Sequence, residues 1–169
     1  MPSSSRLELA IDHIRGARVF THQFLKDLTD AEWFWSPPHY TTHLAWQVGH
    51  IAVAQYGLCL RRIRGRTSAD ESLIPDAYIE TFKPGSTPVN DREKYPPLSE
   101  IKQVLDAVHE QSVDELSQLD DAELDGPLVD PHPRFKTKFA AIDFASMHEM
   151  VHAGQVAMLR RLMGKAPLR

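Results

Sequence analysis

Two histidines, His148 and His152, stand four residues apart near the end of a 169-residue chain. On an α-helix that spacing separates them by about 40° around the axis and about 6 Å along it, so both imidazoles can converge on one divalent ion. A His-x-x-x-His pair is also common on a solvated surface. Here Phe144, Val151 and Leu159 border the stripe and turn it inward, where imidazoles without partners would be costly, so the stripe needs something to bind. Gln155 lies within about 20° of His148 around the axis; it either orients a ligand or bound water from behind, or is a solvated glutamine. Two ligands rarely make a tight site. His50, in Trp46-Gln47-Val48-Gly49-His50-Ile51-Ala52, is the best third. It sits mid-helix among apolar neighbours, and small Gly49 and Ala52 would admit a second helix, since bundle sites draw ligands from facing helices. The alternative is a hydrogen-bonded core histidine.

His148-Glu149-Met150-Val151-His152 also spells HExxH, in which the glutamate of a zinc protease acts as general base. Only 17 residues follow His152 and none is His, Asp or Glu, so the protease reading fails for want of a downstream ligand. A hydrolase that uses Glu149 as base, with its third metal ligand upstream, remains open. His43, seven residues before His50, either reaches the mouth of the same site or, like His39, is a loop or cap residue, the better reading; His13, His22, His109 and His132 read as surface or packing residues. Cys59, the single cysteine, excludes an intramolecular disulfide and reads as a small buried hydrophobe. Arg61, Arg62, Arg64 and Arg66 form a basic run that suits a helix C-terminus better than an anion site.

The elements that must position these groups are helical, and no segment shows convincing strand alternation. The first helix spans 6–27, carrying Leu7, Ile11, Ile14, Phe24 and Leu25 at helical spacing. Thr29-Asp30-Ala31-Glu32 has the form of a capping box and opens a short turn. Trp33, Phe34 and Trp35 then plug one bundle end. The second helix spans 43–64 and stops at Gly65. The third begins with Ser99 as N-cap and carries apolar residues to Leu119. The fourth starts near Thr137 and ends at Gly164-Lys165, with Pro167 just beyond. Four helices of roughly 30 Å suit a four-helix bundle, either up-and-down or with a crossover. The connections 66–97 and 120–136 hold eight of the twelve prolines. The first reads as a lid, with Tyr78, Phe82 and Tyr95 either walling an apolar pocket or anchoring the loop.

Composition narrows the function classes. Apolar residues make up 42% and charged residues 25%, which suits one globular domain over 1–169 rather than a disordered chain. Nineteen Lys and Arg against 23 Asp and Glu leave a formal charge of −4, contrary to the basic excess of a nucleic-acid binder. No run is apolar enough to span a membrane and the start lacks a leader's apolar core, so a cytoplasmic location is expected.

Trp46-Gln47-Val48-Gly49-His50, Phe82-Lys83-Pro84-Gly85-Ser86, His148-x-x-x-His152-Ala153-Gly154-Gln155 and Leu162-Met163-Gly164-Lys165 together resemble the DinB/YfiT-like superfamily, in order along most of the chain. The resemblance implies an all-α four-helix bundle with up-down-down-up connectivity, often a homodimer. It also implies a divalent metal, zinc or nickel before iron, on His50, His148 and His152. Its characterised enzymes include thiol S-transferases and mycothiol-dependent maleylpyruvate isomerases. A related domain of sulfoxide synthases carries an acidic residue two past its last ligand; Gly154 stands there, which departs from that pattern. The expectation is a metal-dependent enzyme that activates a low-molecular-weight thiol cosubstrate against a small-molecule substrate. The alternatives are the Glu149 hydrolase and a non-catalytic metal- or small-molecule-binding stress protein.

Overall fold

Ser5 starts the first long helix by a reciprocal cap: its hydroxyl accepts the Glu8 N–H at 3.1 Å, and its own N–H donates to the Glu8 carboxylate at 2.9 Å. In the computed structural model, which describes residues 5–39 and 42–167, this helix is α1 (Arg6–Leu25). The start of the chain at 1–4, read above for a leader, lies outside the described residues. Helix α2 spans 44–64. It is regular over Leu44–Tyr56, widens to a π-helical turn at Gly57–Arg61 and closes over Arg62–Arg64, where Gly65 at φ 87° ends it. His43 caps α2, its Nδ1 accepting the Trp46 N–H at 3.2 Å. Helix α3 (Leu98–Leu116) begins ahead of the expected cap Ser99, because Pro96-Pro97 hold extended backbone up to Leu98 and the helix starts at once. Helix α4 (Lys138–Leu162) has Thr137 as its cap and Gly164 at φ 83° beyond its end.

Among the described residues every element is helical. Helix α1 packs on α4, and α2 packs on both α3 and α4. At one end Arg6 lies over the ring of Phe139, near the start of α4, and Arg64 near the end of α2 pairs with Glu115 near the end of α3. At the other end Arg160 of α4 donates to the carbonyls of Phe24 and Lys26. Two apolar clusters fill the space, one around Leu44, Tyr56, Ile101 and Leu105, the other around Ile14, Cys59, Leu116 and Ile142. No helix of the described residues is long and apolar enough to cross a membrane.

The 66–97 segment is a packed strap rather than an open lid. It carries short helices at Asp70–Leu73 and Asp76–Phe82 and buries Ile74, Tyr78 and Phe82 completely. Each such side chain contributes about 1.5–3 kcal/mol when withdrawn from water. Of the two roles open to Tyr78, Phe82 and Tyr95, anchoring is the one observed. Trp33, at 1% exposure, closes one end of the core after the Thr29–Glu32 cap.

Candidate metal centre

His50 of α2 meets His148 and His152 of α4, one ring nitrogen from each lying within 4.8 Å of the others. Ring centroids are 4.5 Å apart for His148–His152, 4.8 Å for His50–His152 and 5.2 Å for His50–His148. The buried face of α4 centres on Ala145, Glu149, Ala153 and Val156. The two histidines ride its flank, toward α2. Val151, expected beside an inward stripe, is 62% exposed: it falls about 60° beyond His148, off the flank. Phe144, at a ring separation of 6.0 Å, does border His148.

Hydrogen bonds set the tautomers. His50 Nδ1 lies 2.7 Å from the carbonyl oxygen of Phe82, which can only accept, so Nδ1 carries the proton and Nε2 keeps its lone pair. His152 Nδ1 donates in the same way to Gln47 Oε1 at 2.6 Å, and the Gln47 amide is oriented by its own donation to Thr42 Oγ1 at 2.8 Å. Partners of this kind fix ring orientation and raise ligand basicity in metal sites. Trp46 stacks on His50 at 4.9 Å with planes 6° apart and anchors the strap through Ser86. Gly49 admits the strap's short helix, Asp76–Phe82, rather than another long helix of the bundle: a Cβ there would overlap the Phe82 ring. Gly49→Ala would therefore push away the segment whose carbonyl holds His50.

Burial keeps all three imidazoles neutral. It pushes His50 down; burial and then the neighbouring imidazoles push His148 down to about 4 and His152 down to about 3. Neutral rings with free lone pairs are the donor set a divalent ion needs. Two bonds of about 2.1 Å at a tetrahedral angle set ligand nitrogens roughly 3.4 Å apart, so small ring rotations close the 4.8 Å spread. Gln155 stands exposed beside His152 and acts weakly to raise that ring's pKa.

Glu149 faces elsewhere. About 100° around α4 from His148, it is 3% exposed and bound into α1. Arg18 Nε donates to its Oε1 at 2.8 Å, Arg18 NH2 to its Oε2 at 3.2 Å, and Thr21 Oγ1 to Oε1 at 2.8 Å. Cys59 is buried, which pushes its thiol up to about 12.

A cleft of about 420 Å³ opens beside His148, with Phe144, Phe135, Ile79 and Val53 among its apolar walls. Within the basic run, Arg64 pairs with Asp70 and Glu115, Arg66 with Glu71 and Asp76, and Arg61 with Asp130. Arg62 forms no ion pair among the described residues and lines the cleft.

Outside the cluster, burial also holds His43 and His109 down to about 4. The unfolded chain takes up protons below pH 6.5 that these folded imidazoles refuse, so stability is full at neutral pH and falls as pH drops toward 4. For His43, 1% exposed, the loss approaches about 1.4 kcal/mol per pH unit; screening makes it smaller for half-buried His109. The metal-free protein should show a lower urea midpoint at pH 5 than at pH 7.5; a rising midpoint would refute this.

Gln47 and the Phe82 carbonyl hold two of the three imidazoles, and neither is singled out by the sequence pattern. The signal for Gln47 was an amide inside an apolar helix one turn before His50; a backbone carbonyl leaves none.

A family model described as the DinB superfamily matches residues 13–156. Among solved structures, a conserved protein of Enterococcus faecalis superposes with a TM-score of 0.65 at 18% identity, over 96% of this chain and 100% of that one, a likeness of fold. No curated protein matches the chain.

Proposed function

The chain belongs to the DinB superfamily, and from that membership and its three-histidine cluster we propose a metal-dependent enzyme that joins the sulfur of a low-molecular-weight thiol to an electrophilic carbon of a small molecule. The observation that carries this reading is the pair of Nδ1–H bonds, from His50 to Phe82 and from His152 to Gln47, which reserve Nε2 on both rings for a ligand's electron-pair acceptor. A divalent ion on three imidazoles keeps an open position and favours the thiolate form of a thiol that joins it. Zinc or nickel is proposed before iron, since imidazole suits all three. The chain's own residues do the rest. Phe82 and Gln47 hold the rings, Trp46 walls His50, and the cleft beside His148 offers the thiol an apolar approach to the cluster.

The hydrolase reading gains no support, because both Glu149 oxygens are engaged by α1. The same proposal includes a single domain with an up-down-down-up course, supported by the Arg6–Phe139, Arg64–Glu115 and Arg160–Phe24 contacts between helix ends. It also includes a homodimer, supported by apolar Phe20, Met147, Val151 and Met158 exposed on α1 and α4.

The test is metal analysis of protein purified without chelator, beside a panel of small thiols offered to a chlorinated aromatic electrophile. About one ion per chain is expected, with thiol-dependent adduct formation in which the new carbon–sulfur bond replaces the carbon–chlorine bond, chloride leaves and the thiol proton passes to solvent. Absence of metal uptake overturns the reading, and bound metal without turnover across the panel favours the non-catalytic alternative.

A further inference from the structure

The cleft's charges are unevenly spent. Lys83 on its wall is neutralised by Glu80 at 2.6 Å, and Arg61 by Asp130 at 2.9 Å. Two guanidinium groups remain. Arg134 lies over the Phe144 ring at 4.2 Å, with no ion pair among the described residues. Phe144 is in turn the neighbour of His148, at 6.0 Å between centroids, so Arg134 is two ring-widths from the metal cluster.

Arg62 is the second. It folds back along the π-helical turn so closely that a Cβ on Gly57 would lie 2.8 Å from its NH1. Its Nε is shut off from solvent with no hydrogen-bond partner. With Nε shut inside, half-buried Arg62 can offer only its terminal nitrogens to the cleft, and an anion arriving there would stabilise its partly desolvated charge. Burial pulls Arg62 below the usual arginine range; Asp130 nearby pushes it back up and Arg61 pushes it further down, and a direct ion pair would reverse the shift. Glu80, the carboxylate on the wall, is already committed to Lys83, so nothing in the lining competes for Arg62 and Arg134. Phe135, Phe144 and Ile79 are among the cleft's apolar walls, and Phe144 lies between Arg134 and His148.

We propose that the cleft selects an organic anion: a molecule with a carboxylate or phosphate held by Arg62 and Arg134, and an apolar body running along Phe135 and Phe144 toward the three-histidine cluster. This deepens the function proposed above and rests on it, because it names the class of molecule delivered to that cluster. Guanidinium suits the task better than ammonium, since its planar fork matches either oxyanion and stacks on Phe144 at the same time.

The test compares 6-mercaptohexanoate with 6-mercaptohexanol, probes of equal length that differ in charge. Each is titrated into the full chain, metal-free and loaded with Co2+, and followed by backbone amide shifts of cleft residues. The acid is expected to bind about tenfold more tightly than the alcohol in both forms. In Arg62→Gln and Arg134→Gln that preference should shrink, and in the double variant fall to about twofold or less, with the alcohol's affinity unchanged. Arg134 is exposed, so its variant keeps the fold. Equal affinity of the two probes, or a preference that survives the double substitution, overturns the inference. The sulfur-to-cobalt absorption band is a separate readout: its absence counts against thiol activation at the histidines and leaves the charge preference measurable.

Discussion

Arg18→Met is expected to lower folding stability by about 3–5 kcal/mol, because it strands a buried carboxylate. Arg18 is 4% exposed and reaches every long helix from α1. It pairs with Glu149 of α4, donates to the Leu105 carbonyl of α3 at 2.5 Å and donates to Gln55 Oε1 of α2 at 2.7 Å. Gln55 passes the chain of bonds on to His109. With Met at position 18, Glu149 keeps only Thr21 as donor and must be desolvated without a counter-charge. Arg18→Met with Glu149→Leu should recover most of the loss, since apolar residues of similar volume replace a buried pair at little cost. Urea midpoints of the two singles and the double decide it. A single variant as stable as the parent refutes the account.

The same variants separate two roles for Glu149. If it served as a base beside the metal, Glu149→Gln would remove turnover and leave stability untouched. Bound as it is by Arg18 and Thr21, the substitution should instead lower the urea midpoint while metal remains bound. The ion pair also positions the site: fixing Glu149 against α1 sets the rotation of α4 about its axis, and that rotation turns His148 and His152 toward α2.

This geometry explains which parts of the site were legible in the sequence. Helix α4 is bracketed by chemistry that acts locally, Thr137 at its start and Gly164 at its end, so the register of His148 and His152 could be read directly. His50 was conspicuous as a polar residue in an apolar run. The direction of Glu149 was not, because its partner Arg18 lies 131 positions away. The four arginines at and just beyond the end of α2 are alike in sequence, and only tertiary partners distinguish Arg62 from the three that are paired. The strap's helices, four and seven residues long, are too short to show periodicity or to nucleate alone; their burial against α2 holds them.

Metal affinity should fall in steps that follow the hydrogen-bond pattern, and this is the largest functional effect expected. His152→Ala removes one of three ligands and should weaken binding by more than the hundredfold that bounds effects one layer out. Gln47→Leu, which touches no metal, should weaken it by about 10–100-fold. The reason lies in the tautomer. Gln47 is 4% exposed and accepts the Nδ1 proton of His152 at 2.6 Å. With leucine there, Nδ1–H has no acceptor, the neutral ring gains by moving its proton to Nε2, and the lone pair needed for coordination is lost. Gln47→Glu supplies a stronger acceptor at the same place and should hold affinity at or above the parent's. Competition against a chromophoric chelator at pH 7.5 measures all three. Leu and Glu at position 47 giving the same affinity would mean that the bond to His152 does not select the tautomer, and the site would then have to be held by packing alone.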